Sequence, residues 1–205
     1  AGGRQNARLL QLVGDACAES GHWADAIKHY SAAAQHAPQD AKLRTSLAVA
    51  HQSAGHTQQA VNESRRVVSE HPEALAAANN LALMYSDGRG VPQDFAEANR
   101  LWKSAADQGH PMAQFNLGLM FFRGQGLPAP DYNEAAWWFG QAAESGSVDA
   151  QFAMGELNAR GLGLPQNLGE AERWYRIAAG SGHPMAKSRL QELQAGTLQT
   201  TAATP

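Results

Sequence analysis

The chain can be laid on itself. Displaced by 36 or 37 residues, Leu81, Leu117, Met154 and Leu190 coincide, as do Gly88, Gly124 and Gly161, then Gly90, Gly126 and Gly163, then Ala98, Ala135 and Ala171. A period of this size belongs to stacked supersecondary units, none of which buries its apolar face without a neighbour. With 43% of its 205 residues hydrophobic, the chain has ample apolar surface for the core of such an array.

The unit is a pair of helices. Leu9, Leu10, Val13 and Cys17 fall at helical spacing, Gly21 ends that helix, and Trp23, Ala26, Ile27, Tyr30 and Ala33 trace a second stripe stopped by Pro38. Residues 1–6 show no period and are expected to fray. Further on, the links read SDGRGVPQD, FRGQGLPAPD and ARGLGLPQN. Their paired glycines permit a tight reversal, and Pro92, Pro128, Pro130 and Pro165 stop the first helix from running on. Asp94, Asp131 and Asn167, each three residues before a Glu, predict capping boxes that open the second helix. In GHPMA (109–113 and 182–186) and HPEA (71–74), Pro opens the next first helix and His stands at its entrance. Residues 185–195 start one more helix with no second to follow, with Lys187, Arg189 and Glu192 toward water; 196–205 are small, polar and expected to be disordered.

Composition excludes several functions. The net charge is -3 and no Lys/Arg cluster exceeds Arg65-Arg66, so no nucleic-acid face is expected. No apolar run approaches the roughly 18 residues of a membrane span. A bare Gly-x-Gly preceded by a helix and followed by Leu-Pro or Val-Pro lacks the strand and the further glycine or Lys-Ser/Thr of a phosphate loop. His22, His29 and His36 share a helix face but lie about 10 Å apart along it, too far for one ion. Carboxylates sit mostly at caps, and the lone Cys17 reads as a core thiol. The expectation is a non-catalytic chain with no metal and no cofactor.

Val13-Gly14, Gly21, Ala26, Tyr30, Ala33 and Pro38 resemble the tetratricopeptide repeat, and 41–74 repeat the spacing with His51 and Ser64 at aromatic positions. Leu117-Gly118, Gly124-x-Gly126, Asp131, Ala135, Trp138-Phe139, Ala142-Ala143 and Gly146, with equivalents on either side, resemble the Sel1-like repeat, a longer variant of that hairpin. The resemblance implies two tetratricopeptide hairpins over 7–74 and three Sel1-like repeats over 75–184. The expected fold is all-α: a right-handed α-α superhelical solenoid of five hairpins with a C-terminal capping helix.

It also implies a concave groove lined by first helices, binding a peptide or protein segment. Asn79, Asn80, Leu83, Met112, Asn116, Leu119 and Phe122 are its candidate contacts, with Asn80 and Asn116 on the segment's backbone. Phe122 stands where its siblings are Ser86 and Ala159, and Trp137 where they are Arg100 and Arg173, so the scaffold demands a ring at neither. Phe122 is expected to be exposed, and Trp137 to anchor a partner on the outer face or to be a local packing variant. The alternative function is a bacterial envelope scaffold binding glycan, with Trp137 foremost. An enzyme would need a carboxylate or His pair converging in a pocket. The Ala-Gly-Gly start leans toward a periplasmic or secreted setting; the sequence leaves oligomeric state open.

Overall fold

The structure is a computed structural model and describes residues 2–198. Among the described residues it is all-α, with eleven helices: α1 (Gly2–Glu19), α2 (Trp23–His36), α3 (Ala41–Ser53), α4 (Thr57–Glu70), α5 (Leu75–Asp87), α6 (Phe95–Ala106), α7 (Pro111–Arg123), α8 (Tyr132–Glu144), α9 (Val148–Arg160), α10 (Leu168–Gly180) and α11 (Ala186–Gln194). They form two compact units, Ala1–Leu101 and Trp102–Pro205. Helix α1 starts at Gly2, earlier than expected: Arg4 and Gln5 are good helix formers, and the buried Ala7 docks that turn.

Within a hairpin, a glycine of the first helix lies beneath an aromatic ring of the second. A Cβ on Gly14 would lie 2.6 Å from the Tyr30 ring, one on Gly118 2.6 Å from Phe139, and one on Gly155 2.5 Å from Tyr175. These contacts set how closely the two helices approach, and the alanines between them (Ala26, Ala135 and Ala171, all fully buried) let the backbones meet. Where one hairpin follows another in the second unit, glutamines supply the tie. Gln114 Nε2 donates to the Ala106 carbonyl and Gln151 Nε2 to that of Ala143, each a second donor to an acceptor that already takes the Gly109 or Gly146 N–H.

The glycine links do two jobs. Gly88, Gly124 and Gly161 take positive φ at the ends of α5, α7 and α9. The second glycines, Gly90, Gly126 and Gly163, also take positive φ, and two of them meet a further constraint: a Cβ on Gly90 would collide with the Thr57 carbonyl and one on Gly163 with that of Tyr132. These two bring their links against the start of the preceding hairpin's second helix.

The capping boxes form by half. Asp94, Asp131 and Asn167 accept from the N–H of Glu97, Glu134 and Glu170. No glutamate returns the bond, because the cap N–H groups donate instead to carbonyls of Tyr85, Phe121 and Asn158 in the first helix. Glu97 and Glu170 are left to pair with Arg100 and Arg173. Of the three prolines expected to open helices, Pro111 does so; Pro72 and Pro184 lie in turns ahead of α5 and α11.

Helix α11 ends the array, but Arg189 turns inward to carboxylates rather than to water. Leu198, in the stretch expected to be disordered, packs on the cluster of Ala159, Ala171 and Tyr175. Residues 199–205 lie outside the described residues.

Candidate functional site

In the second unit the first helices α7 and α9 bound a pocket of about 420 Å³. One wall is apolar: Phe115, Leu119 and Phe122 from α7 and Phe139 from α8. The facing wall from α9 mixes Phe152, Ala153 and Leu157 with Asp149, Glu156 and Arg160, and His183 closes one side. Ring contacts hold the apolar wall, with Phe115 5.5 Å and Phe122 6.4 Å from Phe139 between centroids, and Phe122 edge-on to Tyr132 at 5.4 Å.

The charged wall is neutralised from within. Glu156 Oε1 accepts from the Tyr175 hydroxyl at 2.7 Å and Oε2 from Arg160 Nη2 at 2.6 Å, while Arg189 Nε makes an ion pair with Oε1 at 3.0 Å. Burial and the Glu156 carboxylate push the Tyr175 phenol well above its ordinary pKa, so it stays protonated and donates.

His183 stacks on Phe152, 4.1 Å between centroids and 13° between planes. Its Nδ1 accepts the Met185 N–H at 3.3 Å, which assigns the proton to Nε2, 3.7 Å from Asp149 Oδ1. A carboxylate and a histidine thus converge here, as an enzymatic reading requires. Their geometry serves structure, since Nδ1 is occupied by backbone and the ring lies flat on Phe152. His110, the equivalent residue two repeats earlier, caps α7 by accepting the Ala113 N–H at 3.2 Å. Ser147, between them in the series, does the same for α9. Both histidines stand at helix entrances. Among the described residues no group of three or more His, Cys, Asp or Glu side chains is placed to hold a metal ion, and no helix is long and apolar enough to cross a membrane.

The candidate contacts are dispersed. Leu119 and Phe122 line the pocket, and Asn116 lies half-buried one turn before Leu119. Phe122 is half-buried rather than exposed, because the longer link of its repeat brings Tyr132 against the ring. Met112 is exposed at the start of α7. In the first unit Asn80 lines a smaller pocket of about 260 Å³ with Trp23, Tyr30 and Val49, and Leu83 is half-buried. Asn79 is buried at 3% exposure and does not line a groove: adjacent helical residues point about 100° apart, so with Asn80 outward Asn79 turns in beside Ala78 and Ala82. Trp137 is 55% exposed on α8 and lines no pocket described here. The α9 wall lies on groove-facing positions of the repeat pattern, Asp149, Phe152, Glu156 and Arg160, none of which is among the candidate contacts. Cys17 is half-buried against the first hairpin's core.

The Sel1 repeat family model matches residues 75–110, 111–147 and 148–183. The chain belongs to the Sel1 repeat family. Its fold is the Sel1/tetratricopeptide helical-hairpin solenoid, which generally mediates protein–protein interactions. Among solved structures it is similar to a Sel1 repeat protein from Oxalobacter formigenes, at 32% identity, covering 75% of this chain and 63% of that one, with a TM-score of 0.65. It is also similar to c5321, a protective antigen present in uropathogenic Escherichia coli strains displaying an SLR fold, at 26% identity over 93% of this chain and 42% of that one, with a TM-score of 0.74. The chain thus spans less than two thirds of either protein. A thermophilic tetratricopeptide protein from Thermus thermophilus shares the fold, at 17% identity over 92% and 99% of the two chains and a TM-score of 0.64.

Proposed function

We propose that this Sel1 repeat protein is a non-catalytic adaptor that holds a protein segment by seating an apolar side chain in the pocket between α7 and α9. The observation that carries the reading is the wall of Phe115, Leu119, Phe122 and Phe139 around open volume that the protein's own side chains leave unfilled. Seating a Leu or Phe side chain there contributes about 1.5–3 kcal/mol. On this reading Asn116, one turn before Leu119, contacts the segment's backbone beside the pocket. The charges of the facing wall are partnered within the protein, Glu156 by Arg160 and Asp149 by His183.

Peptide display against the wild-type protein tests the proposal. Selected peptides are expected to share a large apolar residue and to lose at least about tenfold in affinity for Ala153→Phe, which fills the pocket, and for Phe122→Ser, which adopts the residue its sibling Ser86 carries. Peptides that bind both variants as tightly as wild type refute the assignment.

A further inference from the structure

The second helices of successive Sel1 repeats differ systematically in charge. At the position of Trp137 its siblings carry Arg100 and Arg173, and at Gly140 they carry Lys103 and Arg176. Each of these cations is held in cis. Arg100 grips Glu97 through Nη2 at 2.6 Å and Nε at 2.8 Å, and Lys103 holds Asp107 at 3.2 Å. Arg173 holds Glu170 at 3.4 Å and lies 5.0 Å from the centre of the Trp174 ring; Arg176 holds Glu172 at 2.7 Å.

Helix α8 keeps the acids at Glu134 and Glu144 and loses the bases. Its sequence, YNEAAWWFGQAAE, contains neither Lys nor Arg. Glu134, sibling of Glu97 and Glu170, and Glu144, sibling of Asp107, pair with no cation among the described residues. Trp137 has no described cation over its ring, whereas the buried Trp138 beside it already carries Lys103 Nζ at 5.3 Å. A Cβ on Gly140 would meet nothing within 4 Å, so the surface one turn beyond Trp137 is open. At 100° per residue, Glu134, Trp137, Gly140 and Glu144 fall on one stripe, with the two carboxylates about 15 Å apart along the axis.

We propose that this stripe is a docking surface for a basic protein segment, with an arginine of the partner stacked on Trp137 and bonded to Glu134, and a second cation on Glu144. The partner supplies in trans the guanidinium that the sibling repeats hold in cis. Planar guanidinium suits both demands, offering a fork to the carboxylate and a flat face to the indole. In an extended segment, arginines four residues apart project from one face about 13 Å apart, within side-chain reach of both carboxylates.

The test uses the whole chain and a synthetic probe, acetyl-Arg-Gly-Ser-Gly-Arg-amide, followed in nitrogen-15 spectra by the indole N–H of Trp137 and, for variants that lack this ring, by the backbone amides of Ala143 and Glu144. Saturable binding is expected, weaker with lysine in place of both arginines. Trp137→Arg/Gly140→Lys installs the residues of the preceding repeat, Arg100 and Lys103, and is expected to weaken the probe at least about tenfold. Glu134→Gln and the charge-neutral Trp137→Leu are each expected to weaken it severalfold, separating a specific contact from general attraction to an acidic chain. Phe122→Ser leaves the affinity unchanged, so this surface stands or falls apart from the pocket. The proposal is overturned if wild type shows no saturable shift, if the double variant binds equally well, or if a chito-oligosaccharide moves the Trp137 signal and the arginine probe does not.

Discussion

The hairpins α7–α8 and α9–α10 solve one packing problem in two ways. Both slide a glycine beneath an aromatic ring, Gly118 under Phe139 and Gly155 under Tyr175. In α9–α10 the residue after the glycine is Glu156, which accepts the tyrosine hydroxyl; Asp15 does the same for Tyr30 in the first hairpin. In α7–α8 both polar partners are gone, replaced by Leu119 and Phe139. A buried hydroxyl and its acceptor can be removed together at little cost, whereas removing one strands the other. The apolar exchange has a consequence at the surface: it turns what would be a charged wall into the dry side of the pocket.

The largest expected effect tests the polar solution. Glu156→Leu strands Arg160 and the Tyr175 hydroxyl, leaves Arg189 with Glu192 alone, and is expected to cost about 2–3 kcal/mol in urea unfolding, less than a fully buried pair because the carboxylate is partly exposed. Tyr175→Phe costs about 1–2 kcal/mol, and the double change costs less than the sum by about 1 kcal/mol; additive losses would mean the hydroxyl and carboxylate do not act as a pair. Next comes what the hairpins share. Gly118→Ala and Gly155→Ala each force a ring aside and are expected to cost about 1–3 kcal/mol, of similar size in the two hairpins. A harmless Gly118→Ala would show that Phe139 yields where Tyr175 cannot.

The links carry a smaller contrast. Gln93 and Gln166 donate to the carbonyls of Ser86 and Ala159, siblings of Phe122, whereas the longer α7–α8 link has Ala129-Pro130 there. Gln166→Ala is expected to cost about 1 kcal/mol by thermal unfolding, and restoring glutamine with deletion of the extra residue in the α7–α8 link should stabilise that hairpin.

The smallest effect is a pH dependence. Burial lowers the His110 pKa below its ordinary value, and the imidazole must be neutral to accept the Ala113 N–H. The unfolded chain therefore takes up this proton first. The contribution is fully present above about pH 6.5 and is lost as pH falls toward the folded value. Relative to wild type, His110→Ser, the residue used at Ser147, is expected to flatten the fall in Tm between pH 7.5 and 5.5; an unaltered slope would assign the acid sensitivity to other groups.

Much of this was legible in residue order, for identifiable reasons. The period exposes the hairpins because each glycine link must reverse the chain and each Asp or Asn must cap the next helix, both local constraints. Sibling comparison marked Trp137 as a position that tolerates water, and it is exposed. Asn79 was misplaced because a groove position and its neighbour differ only by rotation about the helix. Phe122 was read as exposed because the reach of Tyr132 depends on the longer link. The neutralisation of Glu156 was hidden for a third reason: Arg189 arrives from α11, with no local pattern to announce it.

On the proposed function, the pocket between α7 and α9 receives a partner's side chain. Methyl NMR with a display-selected peptide tests it directly. Perturbations are expected to concentrate on Leu119, Leu157 and Leu162, with Leu43 and Val61 of the first unit unmoved. Saturable binding that leaves those three leucines unshifted would contradict it.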